Sequence, residues 1–215
     1  GNNPLAMTRF QVVAGNPSYI AMADASSLLG VMCLMVSAFM RFKGRTPHIA
    51  IAGKHGNPCG AGVNWDRGSE VEARKRALMG DTTAVMGGEL ITNFPITDEL
   101  GQAAYKAPSG IGRELWGLDE VLAPAISENI IELMGKKAKR RLLVNPALAR
   151  PQFPAEKWSY RQLHGDDWLR QRAPEFVLSP NNITHWTNGP IANGSLDDLI
   201  IAFACCWRAS SNTVA

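Results

Sequence analysis

The chain has 215 residues, of which 46% are hydrophobic, and its formal net charge is +3 at neutral pH. This length allows one large domain or two small ones with a proper core, and the small positive charge argues only weakly for an anionic ligand. No stretch interleaves basic and aromatic residues densely enough to predict a nucleic-acid surface. The four cysteines (Cys33, Cys59, Cys205 and Cys206) contain no Cys-x-x-Cys pair, which favours a reducing cytoplasm over a disulfide framework.

The first half of the chain alternates predicted strands and helices. Residues 10–14 predict a short strand, and an apolar helix follows over about 19–41. Residues 25–40 of that helix carry no charge, but this run is short for a bilayer span, so we predict a buried core helix and no membrane segment. No signal peptide is predicted. The pattern then gives a strand at 48–53, a Gly-rich loop at 54–68, and a helix from the capping box Ser69-Glu-Val-Glu72 to about Met79.

The second half continues the alternation of strands and helices. The predicted elements are a turn and short strand at 84–91, a helix at 97–105, a loop at 106–117, a strand at 121–123, a helix at 127–135, a strand at 141–144, and an apolar helix at 196–207. The stretch 145–157 contains three prolines and is predicted to be a surface loop or linker. The alternation indicates an α/β fold with helices on both faces of a largely parallel or mixed sheet.

Residues 53–60, Gly-Lys-His-Gly-Asn-Pro-Cys-Gly, carry the strongest functional signal, because they follow the apolar strand 48–52. In open α/β sheets, ligands bind outside the carboxyl ends of the strands. There Lys54 can stabilise a developing negative charge and His55 can act as a base at neutral pH. The flanking glycines permit close approach of the backbone to a ligand. A surface lysine beside a structural histidine is the alternative interpretation.

Three further positions are weaker candidates. Gly87, with Gly88, is either part of a tight turn or bare backbone that packs against a base or a sugar. Asp119 precedes a predicted strand and is either a ligand contact or a surface acid. Asn188 lies in Thr187-Asn-Gly-Pro190, an ordinary turn composition, although its amide can also pair with a polar ligand.

Several known catalytic signatures are absent. A zinc deaminase needs His-x-Glu followed by Pro-Cys-x-x-Cys, and here Asn57 and Gly62 stand where the glutamate and the second cysteine are required. We therefore expect no metal. The sequence also has no phosphate-binding P-loop and no Gly-x-Ser-x-Gly nucleophile elbow.

The octet resembles a motif of aminoimidazole-carboxamide ribonucleotide (AICAR) transformylase, the C-terminal unit of the bifunctional purine-biosynthesis transformylase/IMP cyclohydrolase. Other segments agree in the order that this family has. They are Gly1-Asn-Asn-Pro4, Asn16-Pro-Ser-Tyr-Ile20 with Asp24-Ala25, Gly80-Asp81 with Ala84-Val-Met-Gly-Gly88 and Asn93, Val121-Leu-Ala-Pro124, Arg140-Arg-Leu-Leu143, the spacing of Arg161, Gly165, Leu169 and Gln171, and Ser211-Asn212. The resemblance thus covers nearly the whole chain.

The resemblance implies a fold, a reaction and a set of roles. The fold would be a cytidine-deaminase-like three-layer α/β/α sandwich with a mixed sheet and no zinc. The reaction would be formyl transfer from 10-formyl-tetrahydrofolate to the 5-amino group of AICAR, by a cytoplasmic homodimer. Lys54 would stabilise charge on the formyl oxygen and His55 would take the proton of the amine. Gly87, Asp119 and Asn188 would contact the nucleotide.

The chain also departs from the family pattern. Ala21 stands where the family has a nucleotide-contacting asparagine, Leu5 where it has a histidine, and Met86 where it has a phenylalanine. The family's basic residue before its Ser-Asn pair is displaced here, with Trp207 followed by Arg208. The second family unit, with folate-contacting segments, has no counterpart in this sequence. A non-catalytic nucleotide-binding paralogue, an inert fragment, and a formyltransferase for another amine therefore remain as alternatives.

Overall fold

The computed structural model describes residues 3–66, 68–105, 117–136, 139–152, 158–173, 176–184 and 193–209. Its strands are β1 (Gln11–Ala14), β2 (His48–Lys54), β3 (Asn57–Asn64), β4 (Glu89–Thr92), β5 (Glu120–Ala123), β6 (Arg141–Val144), β7 (Trp158–Gln162) and β8 (Trp168–Arg172). Its α-helices are α1 (Tyr19–Lys43), α2 (Glu70–Met79), α3 (Asp98–Tyr105), α4 (Glu128–Gly135) and α5 (Asn193–Arg208).

Six strands form one mixed sheet in the order β1-β6-β5-β4-β2-β3. Strands β4, β5 and β6 are parallel, whereas β1 and β3 lie antiparallel to their neighbours, and β2 is antiparallel to both β3 and β4. The predicted α/β class with a mixed sheet is confirmed. The antiparallel pairing of β2 with β4 has one consequence for the site: the carboxyl end of β2 lies beside the amino ends of β4 and β5.

Helices cover both faces of this sheet, which confirms the predicted three-layer arrangement. Helices α1 and α5 share one apolar cluster with one face, and α2, α3 and α4 share a second cluster with the other. Helix α1 begins where the Ser18 hydroxyl accepts a hydrogen bond from the Ala21 N–H and ends at Gly44, which has φ of 66°. Its length and apolar composition would suffice to cross a bilayer, but 12 of its 25 residues are buried in the core, as the sequence predicts.

The prediction of a loop over 54–68 is wrong, because most of it forms the edge strand β3. The glycines and the proline that suggested a loop have other roles. A Cβ at Gly60 would lie 2.0 Å from the Ala77 carbonyl oxygen, so the absence of a side chain lets α2 lie directly on β3. Pro58 is tolerated because an edge strand needs ladder donors on only one side.

The second sheet, formed by β7 and β8, was not predicted. The sequence pattern predicts no strand there, because every residue of both strands is exposed and neither strand has the alternation of a half-buried one. In the predicted linker at 145–157, residues Pro146–Ala149 form a short 3-10 helix that buries Leu148. The remaining predicted helices and strands are present, with boundaries shifted by one to a few residues.

Candidate active site

A tight hairpin presents Lys54 and His55 at one edge of the main sheet. Strand β2 ends at Lys54, and β3 begins at its register partner Asn57. The two residues between them, His55 and Gly56, both have positive φ, of 55° and 72°. This is the backbone geometry of a type I′ turn, which matches the twist of paired strands. The turn rests against α1, since a Cβ at Gly56 would lie 3.2 Å from the Asp24 carboxylate.

The ammonium group of Lys54 is held by backbone oxygens. Its Nζ donates to the carbonyl oxygens of Met86 and Gly87, at 2.9 and 2.7 Å. Gly87 has φ of 62°, and a Cβ there would lie 3.4 Å from both Lys54 Nζ and the Asp119 Oδ2. The structure therefore brings Lys54, Gly87 and Asp119 together. An ammonium has three N–H donors, so one remains for an incoming oxygen once the two described carbonyl contacts are made.

His55 is adjacent to this cluster but is not part of its hydrogen bonding. Its side chain is exposed at the tip of the hairpin. Its backbone oxygen accepts a hydrogen bond of 3.2 Å from the Asn57 side-chain amide, which fixes the turn. Asn188, the remaining candidate of the sequence analysis, lies outside the described residues.

Two buried glutamates, which the sequence patterns did not indicate, line the same sheet edge. Glu89 and Glu120 are register partners at the first positions of β4 and β5, and Gly53 is the partner of Glu89 on β2. They are 8% and 1% exposed. In the described part of the chain, Glu89 Oε2 and both carboxylate oxygens of Glu120 lack a hydrogen-bond donor. The available signal was an acidic residue inside or next to a predicted strand, which is 84–91 for Glu89 and 121–123 for Glu120.

The pKa values of Glu89 and Glu120 are both strongly raised. Burial, with a smaller contribution from the Asp24 carboxylate, raises the pKa of Glu89 to about 7 against the opposing effect of Lys54. Burial also raises the pKa of Glu120 to about 8, with a contribution from Glu89 and an opposing one from Arg141. Ionising both of two neighbouring buried carboxyl groups costs free energy, because burial and the like charge both disfavour it. The pair therefore carries at least one proton near neutral pH.

Cys59 follows the hairpin turn but is not a nucleophile at neutral pH. Burial, together with the negative charges of Asp81 and Glu89, raises the pKa of its thiol to about 11. The thiolate that would attack or bind a metal is thus scarce. Among the described residues, no group of three or more His, Cys, Asp or Glu side chains is arranged to hold a metal ion.

A separate cleft of about 660 Å³ lies at the opposite edge of the sheet. It is formed by the segments that follow β4 and β5, including Ile96, Asp98 and Ser127. Lys54 and His55 thus lie at the carboxyl end of their own strand, β2, as expected. For the parallel strands, the Lys54 cluster is at the amino edge, and the cleft at their carboxyl edge contains none of the predicted site residues.

Comparison with known proteins decides the family. A family model described as "AICARFT/IMPCHase bienzyme" matches residues 2–215. The chain belongs to this family. The resemblance stated from the sequence motifs is thereby confirmed, and the motifs concerned lie along the whole length that the model matches.

The curated relatives of the chain in this family are distant and longer. The bifunctional purine biosynthesis protein PurH of Chlorobium chlorochromatii is 29% identical over 178 residues, which is 83% of this chain and 30% of that protein. PurH of Chlorobium luteolum is 28% identical over 197 residues, or 92% of this chain and 33% of that protein. PurH of Cutibacterium acnes is 27% identical over 177 residues, or 80% and 30%. The chain thus spans about a third of the length of these relatives.

Proposed function

We propose that this member of the AICARFT/IMPCHase family transfers a formyl group from 10-formyl-tetrahydrofolate to the 5-amino group of AICAR, as a cytoplasmic homodimer in purine biosynthesis. One observation carries the proposal. Lys54 is fixed by the carbonyls of Met86 and Gly87 beside Asp119, in a chain matched by the family model over 2–215. The family match suggests the type of reaction, formyl transfer. The cluster of Lys54, Gly87 and Asp119 contains groups that suit this reaction.

The reaction needs both charge stabilisation and proton transfer. An aromatic amine beside a carboxamide is a poor nucleophile, so its nitrogen attacks the formyl carbon slowly without help. The free N–H of Lys54 donates to the formyl oxygen as that oxygen becomes negative. His55 takes the proton that the amine nitrogen loses and returns it to N10 of the folate as the C–N10 bond breaks. Atoms balance, because the products are the formamide and tetrahydrofolate.

The remaining residues of the cluster would orient the nucleotide. Gly87, with φ of 62°, exposes bare backbone beside Lys54 and Asp119, which leaves room for a flat base. The Asp119 carboxylate can accept hydrogen bonds from hydroxyl or amine groups of the ligand. Asn188 is assigned to the same nucleotide contact through the family motif alone.

The test is formyl transfer from 10-formyl-tetrahydrofolate to AICAR, followed spectrophotometrically. We expect Lys54→Met to lower kcat by about 10²–10³-fold and His55→Gln by about 10²–10⁴-fold. Lys75→Met, which removes an exposed lysine of α2, is the matched control and should retain activity. Equal rates for the wild type and His55→Ala would remove His55 from the mechanism.

A second candidate function is nucleotide binding without catalysis. It is favoured by Leu5 and Ala21, which are only 4% and 6% exposed and therefore offer no polar group to a ligand where the family pattern has one. Calorimetric titration with AICAR separates the possibilities. Tight binding without turnover supports the non-catalytic paralogue, and no binding supports an inert fragment. Transfer to a different amine would show another acceptor.

A further inference from the structure

A row of register neighbours crosses the main sheet beside Lys54, on the face that α1 covers. The row runs over β2, β4, β5 and β6 and consists of Gly53, Glu89, Glu120 and Arg141. A Cβ at Gly53 would lie 2.6 Å from the Leu28 side chain of α1, and the side chains of register partners project from the same face of a sheet. Two acids therefore lie side by side under α1, between a residue without a side chain and a cation.

The carboxyl groups of Glu89 and Glu120 lack hydrogen-bond donors. Three of their four oxygens are buried and have no partner among the residues that the structure describes. Arg141, which follows Glu120 in the row, does not supply a donor, and its own Nε is buried without a described partner. Because an unpaired buried polar group costs free energy, folding alone does not favour two acids at these positions.

Charged and titratable groups act on the pair from each element packed around it. They are Asp24 on α1, Lys54 on β2, Cys59 on β3, Asp119 before β5, and Arg141 on β6. Burial and the two aspartates raise the pKa of Glu89, and Lys54 lowers it. Burial and Glu89 raise the pKa of Glu120, and Arg141 lowers it. Lys54 is thus the cation whose charge acts on Glu89.

Lys54 has two alternative sets of oxygen acceptors at this point. In the structure its Nζ donates to the carbonyl oxygens of Met86 and Gly87. Glu89 follows Gly87 by two residues and is the register partner of Gly53, the residue before Lys54. The lysine stem is flexible, so rotation about its torsions can carry the ammonium from the carbonyls to a carboxylate. An ionised carboxylate is the stronger acceptor for an ammonium than a carbonyl oxygen is.

We propose that Glu89 is a positioning residue for Lys54 and that Glu120 is its proton-sharing partner. While Glu89 is neutral, Lys54 stays on the two carbonyls and presents its third N–H to an oxygen of the ligand. When Glu89 loses its proton to solvent, the ammonium turns to that carboxylate, and the ligand oxygen loses its donor. This inference rests on the proposed function, to which it adds a control of Lys54 by pH.

The first experiment needs no ligand. The protein is labelled with carbon-13 at the lysine Cε, the Lys54 signal is assigned by its loss in Lys54→Met, and NMR spectra are recorded between about pH 6 and pH 9. The Lys54 signal should shift as the pH rises through the pKa values of the pair, about 7 and about 8. This shift should be absent in Glu89→Gln. In Glu120→Gln it should be a single step at lower pH, because the like-charged neighbour is gone.

The second experiment measures the binding of AICAR by calorimetry at about pH 6 and pH 9. The wild-type Kd should be at least about tenfold higher at the higher pH, and in Glu89→Gln the two values should agree within about threefold. The ligand and His55 are the same in both proteins, so their own titrations cancel in this comparison. Glu99→Gln, which changes an exposed acid of α3, is the matched control and should keep the wild-type ratio.

A double-mutant cycle shows whether Glu89 acts through Lys54. In Lys54→Met the ratio of the two Kd values should already be small, and adding Glu89→Gln should change it no further. Equal effects of Glu89→Gln with and without Lys54 would overturn the inference, because the carboxylate would then act on the ligand directly. A Lys54 signal that does not shift in the wild type, or that shifts unchanged in Glu89→Gln, would also overturn it.

These results are distinguishable from failure of the proposed function. If AICAR binds but is not formylated, the proposed function fails, and the pH-dependent ratio of Kd values still supports or overturns the control by Glu89. If AICAR does not bind, the proposed function fails as well, and the NMR titration of Lys54 decides the inference by itself. Formyl transfer in a protein whose Lys54 signal ignores Glu89→Gln would overturn this inference alone.

Discussion

Replacing Glu120 by glutamine keeps the size of the side chain and removes its ability to ionise. In the wild type, burial and the neighbouring Glu89 raise the pKa of Glu120 from 4.5 to about 8. Because the folded pKa is raised, the folded state holds this proton more tightly than the unfolded state does. The resulting stability is fully present below the unfolded pKa of 4.5 and is lost as the pH rises through about 8.

The size of this loss follows from the difference in pKa. A difference of roughly 3.5, at about 1.36 kcal/mol for each pKa unit, sets an upper value of about 5 kcal/mol. Glu89 shares the proton with Glu120, so part of this cost belongs to the pair. A glutamine at position 120 does not ionise, so it does not carry this ionisation cost at alkaline pH. We therefore expect Glu120→Gln to be more stable than the wild type by ~2–4 kcal/mol at about pH 9, and within ~1 kcal/mol of it at about pH 5.

These free energies of unfolding can be measured by urea denaturation followed by far-UV circular dichroism. The measurements are made at several pH values and one fixed protein concentration. Glu99→Gln is the control: Glu99 is exposed, so this substitution should change the free energy of unfolding little at either pH. A Glu120→Gln variant that is less stable than the wild type at pH 9 would refute the reasoning. It would mean that Arg141, the register partner of Glu120 on β6, compensates the ionised carboxylate as an ion pair.

Three further measurements test other parts of the structure. Gly60→Ala should destabilise the fold by ~2–4 kcal/mol in thermal or urea unfolding, because its Cβ would lie 2.0 Å from a carbonyl oxygen of α2. Asp197→Ala should cost ~1–3 kcal/mol, since Asp197 accepts the Trp65 indole N–H at 2.5 Å. Cys59, with its pKa of about 11 against an ordinary 9.0, should react with iodoacetamide at pH 8 about 100-fold more slowly than an unperturbed thiol, as measured by peptide mass spectrometry.

The sequence predicted those elements whose pattern of apolar residues matches the residues that are buried in the fold. Helix α1 was predicted over about 19–41 and is found at Tyr19–Lys43, because its long apolar run has a clear cap and a terminating glycine. Strand β3 was missed because its glycines serve packing against α2 and not turns. The β7–β8 hairpin was missed because no residue in it is buried, which removes the alternation by which strands are recognised.

The candidate site, like the fold, was predicted only in part from the sequence. The family motifs selected Lys54, Gly87 and Asp119, and the structure places these three together. Local patterns did not reveal that β2 runs antiparallel to β4, because strand direction in a sheet depends on the path of the whole chain. For the same reason the neighbouring carboxylates of Glu89 and Glu120 could not be paired from sequence, since 30 residues separate them.

The left-handed backbone of His55 has a consequence for how this position would change under selection. Holding a non-glycine residue at φ of 55° costs roughly 1–2 kcal/mol, and glycine or asparagine adopts it more readily. Folding alone therefore favours the loss of the imidazole. In a library randomised at this codon, sorting for thermal tolerance should enrich glycine and asparagine. If His55 has the proposed role, sorting for growth that depends on formyl transfer should recover histidine.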